Sequence, residues 1–319
     1  MLCIRPENKD PYFCLAAEDY LMKYFSEDIF MLWQSYDAVV VGKHQNAMAE
    51  INYPFVHENN IKVARRISGG GTVFHDKGNV NFAYIKNVAS PSEISFSRFV
   101  QPIIEVLAKL GIQAVTSGRN DLLLEGRKIS GNAEHIFKNR VLHHGTLLFD
   151  SNLNTLGQAI KVVPGKYHGK AVESNRSTVT NILPHLKTPM TLNDFTSNLL
   201  GYELTKQGNN LYQLNDEDTA SIRKLVDDKF SSWNWNFGYS PKYTFRNKKL
   251  IKGKILEVEL KVEKGHITEA IISGEYFSES QATKLITTLN GQKHFYDDIR
   301  GKLLEFDSEI SETAVYTFF

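Results

Sequence analysis

The stretch RRISGGGTVFHD, residues 65–76, places two arginines and three consecutive glycines between segments that both read as strands. Glycine weakens a strand, so three in a row indicate either an unusual turn or the close approach of another group to the backbone. Arg65 and Arg66 alternate on the first strand, so one guanidinium is expected to face whatever covers the glycines. Backbone N–H groups beside a guanidinium form a site for a carboxylate or a phosphate.

Familiar phosphate and nucleophile motifs are absent from the sequence. The chain contains no GxxxxGK[ST], GxGxxG, GxSxG or HExxH. Phosphate loops of the first two kinds lead into a helix, whereas these glycines lie between strands. The position of the glycines therefore excludes the helix-N-terminus mode of phosphate binding.

A second stretch, GRNDLLLEGRKISGNA at residues 118–133, reads as a β-hairpin. A two-residue turn at Glu125-Gly126 would pair Leu124 with Arg127, Leu123 with Lys128, and Asp121 with Ser130. This register predicts one shared sheet face for Asp121, Leu123, Lys128 and Ser130. A lysine and a carboxylate on one face can neutralise phosphate or carboxylate oxygens and bind a divalent metal.

The rest of the chain predicts a large and a small domain, both α+β. A composition change near SSWNWNFGYSPKY places the boundary around residues 240–245, which gives domains of residues 1–242 and 243–319. The predicted elements are a helix from Pro11 to about Ser26, a hairpin in TVFHDKGNVNFAYI, a helix ending at Gly111, a strand through Leu256–Val262, a second strand and two short final helices.

Composition narrows the classes of partner. The 319 residues contain 37 lysines and arginines against 36 aspartates and glutamates, and no polybasic run, so a nucleic-acid partner is disfavoured. No signal peptide or long apolar stretch appears, which predicts a soluble cytoplasmic protein that acts away from membranes. Cys3 and Cys14 have neither metal-site spacing nor a disulfide pattern.

Taken in order, the motifs resemble the signature of lipoate–protein ligases. The resemblance covers nearly the whole chain and is carried by WQSYDAVVVGKHQNAMAEIN, RRISGGGTVFHD, GNVNF, GRNDLLLEGRKISGNA, HHGTLLF, ESNRSTVTNI and WNWNFGYSP. It implies the mixed-sheet fold shared with biotin ligases, followed by a small accessory domain. It also implies activation of lipoate by ATP to lipoyl-adenylate and pyrophosphate, then transfer to a carrier lysine.

The resemblance also implies site residues, cofactors and partners. Lys128 is expected to contact both the lipoate carboxyl group and the phosphate, and Asp121 to bind Mg²⁺. The lipoate pocket is expected to include Gly70, His75, His144 and Gly145. Other residues implied at the ATP or lipoyl-adenylate are Arg66, Gly71, Thr72, Val73, Phe74, Asn120, Ser174 and Arg176. The implied partners are lipoyl carrier domains, namely 2-oxoacid dehydrogenase E2 subunits and the glycine cleavage H protein, and the ligase is expected to be a monomer.

Two histidines are adjacent on a predicted strand. His143 and His144 alternate in direction, so only one of them is expected to face inward, and the neighbouring Gly145 favours His144.

Three alternatives share the fold or the partner. An octanoyl or lipoyl transferase that forms an acyl-enzyme uses a cysteine late in the catalytic domain, whereas Cys3 and Cys14 both precede the glycines. A biotin ligase has a different arginine- and glycine-rich loop. A non-catalytic carrier-binding relative is disfavoured by the presence of Lys128, Arg66 and the triple glycine.

Overall fold

The structure is a computed structural model that describes residues 1–90, 94–118, 120–175 and 177–319. It divides into two compact units, neither of which is a single stretch of chain. The first contains Met1–Lys43, Ile61–Gln158 and Ser174–Ser232, and the second contains His44–Asn60, Ala159–Glu173 and Trp233–Phe319. Two segments that precede residue 242 therefore belong to the unit that contains the C-terminal residues.

The first unit is built on a mixed sheet. Among the described residues this sheet has eight strands in the order β12-β1-β2-β6-β10-β9-β8-β7, with β1 parallel to both of its neighbours. The strands are β1 (Leu2–Ile4), β2 (Ile29–Trp33), β6 (Asn79–Asn87), β7 (Val115–Ser117), β8 (Asp121–Leu124), β9 (Arg127–Phe137), β10 (Arg140–Leu148) and β12 (Asn210–Leu211).

Helices cover both faces of this sheet. The helices that begin in the first unit are α1 (Pro11–Tyr24), α4 (Phe96–Lys109), α5 (Leu153–Ala159), α6 (Leu192–Leu204) and α7 (Asp216–Leu225). On one face Phe82 and Tyr84 of β6 join a core cluster with Phe99 of α4, and on the other α1 packs on β10. All residues of β10 are buried, as expected for a central strand with two covered faces.

Local signals explain where the main helices begin and end. Asp10 accepts hydrogen bonds from the N–H groups of Tyr12 and Phe13, and Pro11 occupies the first turn of α1. The helix α4 is followed by Gly111 with φ of +85°, which confirms the stop predicted there.

A small sheet carries the glycine-rich stretch and corrects one prediction. Its order is β4-β3-β5, from β3 (Ala38–Val41), β4 (Lys62–Arg65) and β5 (Val73–His75). The predicted hairpin of β5 with β6 is wrong, because the two strands belong to different sheets. Asp76 redirects the chain between them, accepting from the N–H groups of Gly78 (2.9 Å) and Asn152 (2.7 Å).

The second unit has its own antiparallel sheet, in the order β11 (Tyr167–Gly169), β13 (Tyr243–Ile251), β14 (Lys254–Glu263) and β15 (His266–Gly274). The predicted alternation is confirmed, since the four apolar side chains of β14 from Leu256 to Val262 are all buried. The strand β13 was not predicted from the sequence; its basic residues form ion pairs with β14, Arg246 with Glu259 and Lys248 with Glu257. The helices of this unit are α2 (Ala47–Glu50), α3 (Tyr53–Glu58), α8 (Glu279–Leu289), α9 (Tyr296–Leu304) and α10 (Glu312–Val315).

Both units combine helices with sheets, so the predicted α+β class is confirmed. Across the described ranges, no helix has the length and hydropathy that a membrane span requires.

Candidate functional site

The glycine loop, residues 68–72, rests on the turn that follows β3. Gly70 has a φ of +82°, which favours glycine, and a Cβ at Gly42 would lie 2.1 Å from the Gly70 carbonyl oxygen. The Lys43 N–H donates to the Ser68 carbonyl at 2.8 Å. Arg65 donates to the carbonyl oxygens of Gly42 (2.9 Å) and Lys43 (3.1 Å) from beneath. The closest backbone approach in this loop is therefore made by the protein itself, through Gly42.

The Arg66 guanidinium is folded under the same loop. It donates to the carbonyl oxygens of Gly69 (2.5 Å), Gly71 (2.7 Å) and Val40 (3.2 Å), and its Nε donates to Ser68 Oγ at 3.0 Å. Arg66 is only 5% exposed. Its planar group thus fixes the course of the loop backbone, as a rigid fork of donors is suited to do.

The β8–β9 hairpin presents an ion pair at the surface of the sheet. Glu125 and Gly126 have φ of 51° and 77°, which confirms the predicted two-residue turn. Lys128 Nζ lies 2.9 Å from Asp121 Oδ1, with both side chains about one quarter exposed. A Cβ at Gly131 would lie 2.9 Å from Lys128 Cε, so the absence of a side chain there lets the lysine lie across β9.

One pairing in this hairpin differs from the prediction. Leu123 faces Lys128 as expected, but Asp121 faces Gly131 and Ser130 faces Leu122, because a β-bulge shifts the register between Leu122 and Leu123. Ser130 is fully buried opposite a core residue. The prediction that Ser130 shares a face with Asp121 and Lys128 is wrong, since a bulge adds one residue to one strand.

A third segment joins the glycine loop to the hairpin. Ser174 Oγ accepts from the Thr72 N–H at 2.8 Å, and the Lys128 N–H donates to the Thr178 carbonyl at 2.9 Å. A Cβ at Gly70 would lie 3.7 Å from the Ala133 Cβ, two residues along β9 from Gly131. The structure therefore brings together the glycine loop, the β8–β9 hairpin and the segment that contains Ser174, which are far apart in the sequence.

The other residues that were predicted to bind ATP or lipoyl-adenylate form part of a strand, of the core or of backbone hydrogen bonds. Val73 begins β5, whereas Phe74 is 2% exposed and belongs to the core. The Asn120 carbonyl accepts from the backbone N–H (2.8 Å) and the side chain (2.9 Å) of Asn132. Arg176, also predicted at the adenylate, lies outside the described residues.

His75 is a buried neutral group. It is 3% exposed, and its Nδ1 lies 3.4 Å from Ser35 Oγ. Burial lowers the pKa of His75 to about 3, with a smaller contribution from the Arg66 charge. Its ring packs edge-on against Trp33, with centroids 5.3 Å apart.

His143 and His144 are both inside the protein. His143 stacks on Phe99 of α4 and contacts Glu134 at 3.0 Å, whereas His144 contacts Glu18 of α1 at 2.7 Å. The prediction that only one histidine faces inward is wrong, because helices cover both faces of the sheet. Gly145 is also buried, and a Cβ there would lie 2.1 Å from Asn132 Oδ1.

Sequence reasoning missed several polar residues on the sheet face that carries His144. Asn79 and Asn81 of β6 are 0% and 3% exposed. Within the described part of the chain, Asn79 Oδ1 and Asn81 Nδ2 have no hydrogen-bond partner. Two asparagines spaced by one residue in the buried part of β6 were the available signal, since buried amides normally have partners.

The geometry suits the binding and activation of an anion. Lys128 offers an ammonium group at the surface, the glycine loop offers backbone groups held from below by Arg66, and Asp121 offers carboxylate oxygens. A cation held in this way offsets charge as two anions approach each other. Among the described residues, no group of three or more histidine, cysteine, aspartate or glutamate side chains is placed to hold a metal ion.

Comparison with known families assigns both parts of the chain. Residues 10–202 match the family described as the lipoyl protein ligase A/B catalytic domain. Residues 240–316 match the family described as the bacterial lipoate protein ligase C-terminus.

Individual relatives extend over almost the full length. Lipoate–protein ligase 1 of Staphylococcus aureus is 37% identical over 300 residues, which cover 93% of this chain and 92% of the relative. The lipoate-protein ligase LplJ of Bacillus subtilis is also 37% identical over 300 residues, covering 92% of this chain and 91% of the relative.

Solved structures show the same fold. The crystal structure of P. falciparum LipL1 in complex with lipoate is 25% identical in sequence and covers 97% of this chain and 94% of that one, with a TM-score of 0.63. An archaeal bipartite lipoate protein ligase from Thermoplasma acidophilum is 22% identical, covers 75% of this chain and 96% of that one, and has a TM-score of 0.65.

Proposed function

The chain belongs to the lipoyl protein ligase A/B family and is an enzyme of the lipoate–protein ligase type, and on that premise we propose the steps it catalyses. Lipoate and ATP form lipoyl-adenylate and pyrophosphate, and the lipoyl group then passes to a lysine of a carrier domain. Residues 1–242 carry both steps in this proposal, and residues 243–319 form the accessory domain.

The observation that carries the proposal is the position of Lys128. Its ammonium group lies over Gly131 at the surface of the sheet, and a Cβ on Gly70 of the glycine loop would lie 3.7 Å from the Cβ of Ala133, two residues further along the same strand. The ion pair with Asp121 keeps the lysine side chain directed along this face. A charged group so placed can contact the carboxylate of lipoate and the α-phosphate of ATP at once.

In the first step a carboxylate oxygen of lipoate attacks the α-phosphorus. The bond between that phosphorus and the oxygen of the leaving pyrophosphate breaks, and an acyl-phosphate anhydride forms. Lys128 lowers the repulsion between carboxylate and triphosphate, and the glycine loop orients the phosphate through its backbone. Both effects are positioning and electrostatic stabilisation, without a covalent enzyme intermediate.

A divalent metal fits this site only in part. Mg²⁺ in nucleotide sites is commonly held by one or two carboxylates together with phosphate oxygens. Asp121 supplies one such carboxylate, one oxygen of which contacts Lys128. Asp121 would therefore hold Mg²⁺ that arrives with ATP, and the ion would supply further neutralisation of phosphate charge.

In the second step the carrier lysine supplies the nucleophile. Its neutral amine attacks the acyl carbonyl, an amide bond forms, AMP leaves, and the amine loses a proton. The proposed carriers are E2 subunits and the glycine cleavage H protein. The enzyme's own cysteines are poorly suited to an acyl-enzyme route, because burial raises the pKa of the Cys3 thiol to about 11 and that of Cys14 well above its usual value.

The test separates the two steps. The purified protein is incubated with lipoate, ATP, Mg²⁺ and labelled pyrophosphate, and label in ATP is measured with and without lipoate. We expect exchange that requires lipoate, followed by amide formation on added lipoyl domain. Background exchange together with ATP-independent acyl transfer from an octanoylated carrier would replace the proposal with a transferase.

A further inference from the structure

A chain of buried hydrogen bonds runs from α1 to the glycine loop. Glu18 Oε2 lies 2.7 Å from His144 Nδ1, and His144 Nε2 lies 2.6 Å from Ser68 Oγ. Ser68 Oγ accepts from Arg66 Nε at 3.0 Å, and Arg66 Nη2 donates to the Gly71 carbonyl at 2.7 Å. Each of the four residues is at most 7% exposed.

The donors and acceptors impose a direction on this chain. Glu18 accepts at both oxygens, since the Trp33 indole N–H donates to its Oε1 at 3.0 Å. His144 then donates from Nδ1, and in a ring with its single proton on Nδ1 the Nε2 atom accepts the Ser68 hydroxyl proton. Ser68 Oγ is thereby free to accept from Arg66. A neutral His144 ring with its proton on Nδ1 satisfies every member, because the bond made by one ring nitrogen fixes the role of the other.

The neighbouring histidine, His143, also contacts a glutamate but has no connection to the glycine loop in the part of the chain that the structure describes. His143 contacts Glu134 at 3.0 Å and stacks on Phe99 at 4.9 Å, on the opposite face of β10. Within the described residues its Nε2 has no hydrogen-bond partner. Of the two adjacent histidines of β10, His143 therefore packs in the core on one face, whereas His144 connects Glu18 to the glycine loop on the other.

We propose that Glu18, His144 and Ser68 are positioning residues for adenylation, which set the orientation of Arg66 and hence of the glycine-loop carbonyls and N–H groups. This inference rests on the proposed function, because the loop is the element that orients the phosphate. The chain stabilises one course of the loop backbone before ATP binds, so ATP does not have to order it.

The experiment compares variants that differ in their connection to the loop. Ser68→Ala removes a single oxygen, and it should lower kcat/KM for ATP in pyrophosphate exchange about tenfold to a hundredfold, the effect of one lost buried hydrogen bond on a charged partner. His144→Ala should have a similar effect. His144→Gln should recover much of it, because its side-chain oxygen lies near the position of Nε2 and can accept from Ser68. His143→Ala is the matched control and should retain the exchange rate per folded molecule.

A double-mutant cycle tests whether the residues act as a unit. Glu18 and Ser68 are connected through His144, so the Glu18→Ala/Ser68→Ala double variant should be no slower than the slower single variant. Independent packing contributions would instead add. Additive effects, or a loss in His143→Ala equal to that in His144→Ala, would overturn the proposal.

Amide hydrogen exchange of residues 68–74 keeps the inference separate from the proposed function. Ser68→Ala and His144→Ala should exchange these amides faster than wild type, whereas His143→Ala should not. If wild type lacks pyrophosphate exchange, the proposed function fails and the loop measurement still decides the positioning chain. Unchanged protection of residues 68–74 in Ser68→Ala would refute the chain on its own.

Discussion

Two four-residue segments of similar sequence, Arg66-Ile67-Ser68-Gly69 and Lys128-Ile129-Ser130-Gly131, have opposite relations to the site. In both, the isoleucine and the serine are buried. The basic residues differ, since Arg66 is 5% exposed beneath a loop whereas the Lys128 side chain is 23% exposed on the sheet face. The same pattern thus gives one arginine that organises backbone and one lysine that is partly exposed on the sheet face, where we propose that it contacts the ligand.

The glycines explain the difference. A Cβ at Gly69 would meet no atom within 4 Å, and the loop there is shaped by Arg66 donors from below. A Cβ at Gly131 would clash with the Lys128 side chain at 2.9 Å. In the first segment the basic residue turns under its glycine, and in the second it lies over it.

We expect the largest effect when the positive charge of Lys128 is removed. Lys128→Ala should slow lipoate-dependent pyrophosphate exchange about 100- to 1000-fold, the usual result of removing one group that stabilises transition-state charge. The fold should be nearly unaffected, because a partly exposed ion pair contributes about 1 kcal/mol or less. Arg127→Ala, next to it on β9 and paired with exposed Glu125 at 3.3 Å, is the control. Equal rates in the two variants would remove Lys128 from the mechanism.

Arg66, which organises the backbone of the glycine loop, should contribute mainly to the stability of the fold. Arg66→Lys retains a positive charge but cannot reproduce a fork that contacts Ser68, Gly69, Gly71 and Val40. We expect the free energy of unfolding to fall by about 2–4 kcal/mol, since several buried carbonyls lose their donor. Urea denaturation measures this, with Arg127→Lys as the control. A stability equal to that of wild type would show that the Arg66 fork is dispensable.

Substitution of Gly42 should destabilise the fold more than substitution of Gly69, although Gly69 belongs to the triple glycine that stands out in the sequence. Gly42→Ala places a methyl group 2.1 Å from the Gly70 carbonyl oxygen and should destabilise the fold by about 1–3 kcal/mol. Gly69→Ala, inside the triple glycine, meets nothing within 4 Å and should leave the melting temperature within about 2 °C of wild type. A larger loss for Gly69 than for Gly42 would contradict the packing of the loop.

A pH-dependent effect is expected from His75, whose pKa is lowered by burial and then by the Arg66 charge from 6.5 to about 3. Between these values the unfolded chain binds a proton that the folded chain does not. The free energy of unfolding should therefore rise with pH in this window, by up to about 1.4 kcal/mol per pH unit, and fall on acidification. His75→Gln should reduce the slope of stability between about pH 4 and 6. An unchanged slope would mean that His75 also titrates when folded.

The sequence predicted the parts of the site that depend on neighbours in the chain. The Glu125-Gly126 turn fixes the hairpin, and with it the approach of Asp121 to Lys128, whose Nζ and Oδ1 lie 2.9 Å apart. The bulge that moves Ser130 was not predictable, because nothing in the local pattern marks an inserted residue.

Contacts across long sequence separations were also missed. Gly42 lies under Gly70, and Glu18 of α1 contacts His144 of β10. Asp76 and Gly78 form a turn that reads as a hairpin, yet the strands on either side join different sheets. These features depend on tertiary packing, which local propensity does not encode.

The most direct test of this account is a crystal structure with a non-hydrolysable lipoyl-adenylate analogue. It should show Lys128 Nζ within about 3 Å of an oxygen at the acyl–phosphate junction, a normal hydrogen-bond distance for a charged donor. The Arg66 guanidinium should still contact the carbonyl oxygens of Gly69 and Gly71. An Arg66 side chain bound to the analogue, with Lys128 still paired to Asp121 and away from the ligand, would contradict the division of roles between the two segments.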